Sequence, residues 1–258
     1  MILRRVIDHF RKQEWTAIAI DFIIVVLGVF VGLQVQEWSG RQEDKRQERR
    51  IVEDMLADLD IDRPLYAEAL VYALRRVGAA DALLKGAGLA PIAFSAAPAT
   101  TGAAIVDYSF DVAEAANLPA VDKDRLWADL ALGFHPTPST TTYDALIGAG
   151  DTRIIRDRNI MREIQLYRNN TTTIADQNRK ILSVREDLIN TGALYGLAPF
   201  DGKTAEEYFE IVGKEPQLAA AIRIMATFVI FHKGEVVAAD TRAAELQKRL
   251  RDYLETIK

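Results

Sequence analysis

The sequence predicts an all-α protein: one N-terminal transmembrane helix followed by a bundle of three long helices plus short helices. Three observations carry this prediction. An apolar stretch near the N-terminus is long enough to cross a bilayer. Three later stretches repeat apolar residues at helical spacing, and no stretch shows the apolar–polar alternation of a half-buried strand.

Four parts follow one another along the predicted chain. Residues 1–14 form an amphipathic basic helix, 15–38 the transmembrane helix and 39–50 a charged helical stalk. Residues 51–258 form the helical-bundle domain, which contains a loop-rich insert at 87–121. An amphipathic helix with a basic face, such as the first segment, is typical of helices that lie on an anionic membrane surface.

The transmembrane prediction rests on the length of the apolar segment and on the tryptophans beside it. Between Ala17 and Leu33 the only polar residue is Asp21. Trp15 and Trp38 stand at a spacing of about 34 Å along a helix, which matches the two interfacial belts of a bilayer. A cleaved signal peptide is the alternative, but no small-residue cleavage site follows the segment. We therefore predict an uncleaved signal anchor.

Polar and small residues inside the span point to possible partners. Asp21 either reaches headgroups and water near one interface or pairs with a polar group of a partner, because an isolated acid in a bilayer is costly. Gly28 and Gly32 form a small-xxx-small pattern, which lets two helix backbones approach closely. The expected partners are therefore the lipid bilayer and, through this helix, a second copy of the chain or another membrane protein.

The charges that flank the span give little information about its orientation. Four Lys/Arg residues precede it and five follow it closely. The short basic tail favours a cytoplasmic N-terminus, which places the large domain in the periplasm, outside the inner membrane. The formal net charge of −5 provides no basic field, so we expect no nucleic-acid partner.

Three apolar seams with the spacing of coiled-coil cores predict the long helices, which should pack together because none is stable alone. Their residues are Val52, Leu56, Leu59, Tyr66, Leu70, Ala73, Val77, Ala80 and Leu84; Ile160, Tyr167, Ile174, Ile181, Leu188 and Tyr195; and Leu218, Ile222, Met225, Val229, His232, Val236, Ala239, Ala243, Leu246, Leu250, Tyr253 and Ile257. Arg63 and Pro64 interrupt the first seam, and proline there kinks or restarts the helix.

The polar middle of the second seam and a histidine in the third are the candidate binding residues of the bundle. Thr171 and Asn178 belong to the second helix, and His232 to the third. One interpretation is a polar bundle layer with a hydrogen-bonded core histidine. The alternative is a ligand pocket or a pH-responsive switch, since burial moves the titration of histidine through the neutral range.

No catalytic or cofactor motif is present in the sequence. It lacks the H-E-x-x-H, G-x-S-x-G, Walker and G-x-G-x-x-G patterns and contains no cysteine. Asp58, Asp60 and Asp62 resemble a calcium loop, but Arg63 and Ala69 stand where that loop needs Gly and Glu. We predict a non-enzymatic protein with no cofactor, metal or catalytic residue, which binds a partner, senses a ligand or acts as a scaffold. The alternatives are a ligand carrier, an enzyme that uses the polar layer, and a structural spacer.

Two stretches resemble a known family. WTAIAIDFIIVVLGVFVGLQVQEW, from Trp15, resembles the N-terminal membrane segment of a family of uncharacterised bacterial proteins known as a domain of unknown function. YDALIGAGDTRIIRDRNIMREIQLY, from Tyr143, resembles its second hallmark, a short helix, a glycine turn and a helix ending in tyrosine. The resemblance implies a bacterial single-pass membrane protein, and it brings no known activity or site residue.

Overall fold

The computed structural model describes residues 15–93, 99–101, 104–106, 108, 110, 118, 120–148, 150 and 153–257. The predicted amphipathic helix at 1–14 lies outside the described residues, as do the side chains of Trp15 and Asp21. The chain divides into two compact units, Met1–Arg50 and Ile51–Lys258.

Helix α1, Trp15–Gly86, contains both the predicted membrane segment and the first seam. It continues through Pro64, so the helix does not restart there. Proline removes one backbone hydrogen bond from a helix. Leu59 and Tyr66 are fully buried on either side of the proline, and this packing keeps the helix intact across the lost bond.

Helix α1 ends at Gly86, and a glycine turn follows it. Gly88 adopts a φ of 72°, a left-handed conformation that glycine accepts at no steric cost. The amide of Leu89 donates to the carbonyl of Leu84 at 2.8 Å, and the amide of Gly88 donates to Lys85 at 3.0 Å. This pair of bonds is a Schellman motif, which satisfies carbonyls that the helix end leaves open.

Five further α-helices follow in the described part of the chain. They are α2, Leu126–Ala131; α3, Thr141–Gly148; α4, Arg158–Ala193; α5, Ala205–Lys214; and α6, Pro216–Thr256. A 3-10 turn, Lys123–Arg125, leads into α2. The all-α class predicted from the sequence is confirmed, with three long helices and three short ones.

A short hairpin lies inside the predicted loop-rich insert. Strands β1, Ala99–Thr101, and β2, Ala104–Val106, pair antiparallel with Ala99 opposite Val106, and β2 contacts α6. The sequence did not predict this hairpin, because strands of three residues are too short for an alternating pattern to be recognised.

Side-chain caps determine where the later helices begin. The Asp157 carboxylate accepts the amides of Asn159 at 2.7 Å and Ile160 at 3.4 Å, and this N-cap starts α4. Thr204 and Glu207 form a capping box at the start of α5. Pro216 occupies the first turn of α6, where its missing amide costs nothing.

Helices α1, α4 and α6 bury their seams in two hydrophobic clusters. The first, the entry cluster, joins the Val52 end of α1 to the start of α4 and the end of α6. The second, the distal cluster, joins the Leu84 end of α1 to the end of α4 and the start of α6. Helices α1 and α4 therefore run parallel, and α6 runs antiparallel to both.

The buried face of α1 is wider than the predicted seam. A second row also points inward at steps of seven residues: Met55, Asp62, Ala69, Arg76 and Leu83. Two members of this row carry charge, and they organise the polar interior of the bundle.

Candidate functional site

The buried polar residues of the bundle form two clusters, and α1 contributes the centre of each. Asp62 is 0% exposed and Arg76 is 3% exposed. They are about 21 Å apart along the helix, so they belong to separate layers. The non-helical segment between α2 and α3, residues 132–140, is called the connector here, and it bonds to both layers.

The first layer is the aspartate–tyrosine cluster: Asp58, Asp62, Tyr66, Ser139 and Tyr167. The Tyr167 hydroxyl donates to Asp62 Oδ2 at 2.5 Å, and the Ser139 amide donates to Asp62 Oδ1 at 2.7 Å. The hydroxyls of Tyr66 and Tyr167 are 3.1 Å apart. The Ser139 hydroxyl donates to Asp58 at 2.8 Å. Both oxygens of the buried carboxylate are satisfied, and α1 is tied to α4 and to the connector.

Burial dominates the electrostatics of this cluster. Burial raises the pKa of Asp62, and the charge of Asp58 acts in the same direction. The hydrogen bonds from Tyr167 and from the Ser139 amide act in the opposite direction. Burial also raises the pKa of Tyr66 and of Tyr167 above the usual range of a phenol. Both phenols therefore remain protonated near neutral pH: Tyr167 donates to the carboxylate, and Tyr66 donates to the Tyr167 hydroxyl.

A cavity of about 30 Å³ lies beside the aspartate–tyrosine cluster. Its polar lining consists of Asp58, Ser139, Tyr143, Tyr167, Arg168 and Thr171. The Thr171 hydroxyl is already engaged, since it donates to the Arg168 carbonyl at 2.8 Å and accepts from Arg168 Nη1 at 3.0 Å. A space of this size holds one or two water molecules. Pockets for metabolites measure about 300–1,000 Å³, so the cavity is too small for a substrate.

The second layer is the basic cluster: Arg76, His135, Asn178, Arg185 and His232. Arg76 reaches the last turn of α2 and the start of the connector, where its guanidinium donates to Leu132 O at 3.0 Å and Ala131 O at 3.3 Å. Gly133 makes this approach possible, because a Cβ there would lie 2.5 Å from the guanidinium carbon. The guanidinium therefore fastens α1 to the segment that joins α2 and α3.

Asn178 links α4, α6 and the connector. Its Nδ2 donates to Pro136 O at 2.7 Å, and its Oδ1 lies 2.9 Å from His232 Nε2, which acts as the donor. Along α4, Asn178 falls between Ile174 of the entry cluster and Ile181 of the distal cluster. The Asn178–His232 pair is thus a polar layer at the boundary between the two hydrophobic clusters.

Both histidines of this layer are neutral near pH 7. Burial lowers the pKa of His232 to about 3, and His135 and Arg76 act in the same direction. Burial lowers the pKa of His135 to about 4, again with repulsion from Arg76 and Arg185. For Arg76 itself, burial and the charge of Arg185 lower the pKa to about 10.

The positive charge of the basic cluster has no acidic counterpart among the described residues. Neither Arg76 nor Arg185 forms an ion pair with a carboxylate of the part of the chain that the structure describes. Arg185 Nε and both ring nitrogens of His135 are buried without a hydrogen-bond partner. Buried polar atoms are paired in the large majority of cases, so three such atoms in one place require an explanation.

The structure joins two of the three predicted binding residues and separates the third. Asn178 and His232 are hydrogen-bonded in the basic cluster. Thr171 lies two turns earlier on α4, beside the cavity of the aspartate–tyrosine cluster. Arg76 and Arg185 are not among the site residues predicted from the sequence. The one pattern that could have indicated Arg76 is the row of α1 that repeats every seven residues.

The predicted membrane segment exposes its apolar side chains. From Ile20 to Trp38 the large hydrophobic residues are between 47% and 68% exposed. A Cβ at Gly28 or Gly32 would meet nothing within 4 Å. Among the described residues, α1 is the helix whose length and composition suffice to cross a membrane, and its apolar window is 0% buried.

Comparisons with protein-family models, with curated proteins and with solved structures find no match for this chain.

Proposed function

We propose that this chain is a single-span protein of the bacterial inner membrane whose helical bundle binds a partner or a small ligand and performs no catalysis. The observation that carries the proposal is the exposed apolar surface of α1 between Ile20 and Trp38. Contact of that surface with water is unfavourable by about 25 cal/mol per Å², whereas contact with lipid chains is not. The apolar surface of this segment is therefore more stable in a bilayer than in water.

The aspartate–tyrosine cluster favours a structural role over a catalytic one, which supports the non-catalytic part of the proposal. The carboxylate of Asp62 and the phenols beside it bond to each other, and the adjoining cavity has room only for water. A reaction would need a substrate atom within hydrogen-bond reach of an acid, a base or a nucleophile. The aspartate–tyrosine cluster instead fastens the connector to the helices.

The proposed bacterial origin and topology rest on sequence. The stretches from Trp15 and Tyr143 resemble a family of bacterial membrane proteins, and the short basic tail favours a cytoplasmic N-terminus. In this topology the second unit lies in the periplasm, where it can meet ligands or partners outside the inner membrane.

Partner binding within the bilayer is proposed at Gly28 and Gly32. Both positions lie in the apolar segment, and the space beside them is open within 4 Å. Two helices that meet at such glycines gain close backbone packing, which is the main attraction available between helices in lipid. A second copy of the chain or another single-span protein fits this surface.

The anchor is tested by alkaline extraction of membranes, with a matched pair of arginine variants. Leu27→Arg places a charge in the centre of the segment, at a cost of about 3 kcal/mol for insertion. Val71→Arg adds the same charge at a site that is 55% exposed in the second unit. We expect wild type and Val71→Arg to stay in the pellet and Leu27→Arg to be depleted from it.

Release of the intact wild-type chain by alkali would refute the anchor. A reporter fused to the C-terminus, active on only one side of the membrane, then tests the topology separately. Activity on the cytoplasmic side would overturn the periplasmic assignment and leave the anchor standing.

A second candidate function, ligand carriage by the bundle, is favoured by the uncompensated charge of the basic cluster.

A further inference from the structure

We propose that Arg185, at the outer edge of the basic cluster, binds one small oxyanion, a phosphate or a carboxylate group, in a groove on the outer face of α4. The inference goes beyond the anchoring role of the chain. It does not depend on that role, because every residue involved lies in the second unit.

The groove is an open depression of about 540 Å³ on the surface of α4, and every residue that lines it belongs to that helix. Its lining consists of Arg179, Leu182, Ser183, Arg185, Glu186 and Ile189. Arg185 lines the groove, and its charge lowers the pKa of His135 and of Arg76 in the basic cluster. A ligand in the groove therefore meets a guanidinium that is backed by a second buried cation.

The buried cation behind Arg185 is the source of the attraction. Arg76 is 3% exposed, and its described hydrogen bonds go to two carbonyl oxygens, which are dipoles and do not neutralise its charge. An uncompensated buried charge destabilises the folded state. An anion at Arg185 recovers part of this cost, because the interaction of the two charges is weakly screened where solvent is excluded.

The other charges of the groove act on an incoming anion only weakly. Arg179 forms an exposed ion pair with Asp176 at 2.5 Å, so the carboxylate and the solvent both reduce its attraction for the anion. Glu186 is exposed, and solvent screens its repulsion of an incoming anion. The site therefore depends on Arg185 and on the cluster beneath it.

The donor geometry favours an oxyanion over a halide. A guanidinium binds phosphate or carboxylate through two parallel N–H donors, and a spherical halide cannot use both directions equally. The Nε of Arg185 is one of the buried atoms without a partner. Side-on binding of an oxyanion by Arg185 uses this Nε together with one Nη, after a rotation of the side chain towards the groove. An oxyanion bound in this way accepts a hydrogen bond from a donor that has no partner within the protein.

The test measures the unfolding midpoint of the full-length chain in detergent at pH 7, in sodium phosphate, sodium acetate and sodium chloride of equal ionic strength. Wild type should be stabilised by phosphate or by acetate relative to chloride, with an increase that saturates as the anion is titrated. Phosphate identifies a phosphoryl ligand, and acetate identifies a carboxylate ligand. Arg185→Gln should weaken binding at least about tenfold, since a charge-assisted hydrogen bond contributes about 1.5–3 kcal/mol.

Arg179→Gln is the matched control. It removes a cation from the same groove and should leave binding within about twofold of wild type, because the Arg179 charge is already paired. Arg185→Lys keeps the charge and loses the paired donors, so it should bind more weakly than wild type and replaces Arg185→Gln if that variant does not fold.

Three results would overturn the proposal. The first is an unfolding midpoint that is equal in all three salts. The second is a saturable shift of the midpoint that is as large in Arg185→Gln or Arg185→Lys as in wild type. The third is a loss of anion affinity in Arg179→Gln equal to the loss in Arg185→Gln. The last two would indicate a general effect of anions on the surface.

Discussion

The rings of His135 and His232 lie edge to face, with centroids 6.1 Å apart, between the two hydrophobic clusters of the bundle. His135 belongs to the connector and His232 to α6, so their contact forms only when the connector is seated in the bundle. The charged groups that act on the pair are Arg76 from α1 and Arg185 from α4. Protonation of either ring adds a positive charge to a site that already holds two.

We expect the free energy of unfolding to decrease as the pH falls from about 6.5 towards 4. Both histidines have a pKa of about 6.5 when unfolded, and the folded state lowers these values to about 4 and about 3. Their contribution is therefore complete above pH 6.5 and is lost as protons bind preferentially to the unfolded chain. Denaturant titrations at pH 7.5, 6.5 and 5.5 measure this slope.

The double variant His135→Gln, His232→Gln provides the control for the pH slope, because it removes both titrating rings. The contribution of Asp62 to stability changes with pH in the opposite direction. Burial raises the pKa of Asp62 in the folded state, so its contribution to the free energy of unfolding is present in acid and is lost as the pH rises through that pKa. A wild-type slope between pH 7.5 and 5.5 no steeper than that of the double variant would contradict the assignment to the histidines.

Tyr167→Phe should destabilise the bundle more than Tyr66→Phe. The Tyr167 hydroxyl donates to the buried carboxylate of Asp62, and removing a bond to a charged group costs about 1.5–3 kcal/mol. The Tyr66 hydroxyl is bonded to that of Tyr167, a neutral partner, and its loss costs about 1 kcal/mol. Equilibrium unfolding of the two variants and of the double variant measures both costs and their coupling.

Coupling is expected in this pair because the two hydroxyls form one hydrogen-bond chain. Once Tyr167 is Phe, Tyr66 has lost its partner, so the double variant should cost less than the sum of the single variants, by about 0.5 kcal/mol or more. Equal costs for the two single variants would show that Asp62 does not depend on Tyr167.

Gly192→Ala should destabilise the protein, although alanine is the better helix former by about 1 kcal/mol. A Cβ at this position of α4 would lie 2.2 Å from the ring of Trp127, which is fully buried. We expect a net loss of about 1–3 kcal/mol from overpacking. Gly148→Ala is the control, since a Cβ there meets nothing within 4 Å. A stability of Gly192→Ala equal to or above wild type would show that Trp127 can move aside.

Isoleucine at both Gly28 and Gly32 should weaken association of the chain in the membrane. The added β-branched side chains hold two helices apart at the place where glycine allows contact. Cross-linking of the full-length protein in phosphatidylcholine vesicles, at a fixed protein-to-lipid ratio, measures the dimer fraction. Val26→Ile with Phe30→Ile, on the opposite face of the same helix, should leave that fraction unchanged. An equal dimer fraction in both variants would remove the glycines from the interface.

Local patterns in the sequence determined the helices and many of their ends. The second and third seams are buried as predicted from Ile160 to Leu188 and from Leu218 to Leu250. Asp157 begins α4, and Gly88 follows the end of α1. These features are readable because apolar periodicity, capping and the left-handed preference of glycine act between residues a few positions apart.

Only the tertiary structure decided which polar residues meet. Asp62 and Arg76 lie beside the predicted seam of α1, and they are buried because the connector covers that side of the helix, through contacts separated by tens of residues. Thr171 and Asn178 share a polar stretch of α4, yet about 10 Å of helix places them in different layers. Periodicity shows which face of a helix is apolar, but the partners across the bundle depend on register between distant segments, and a single sequence does not encode that register in any local pattern.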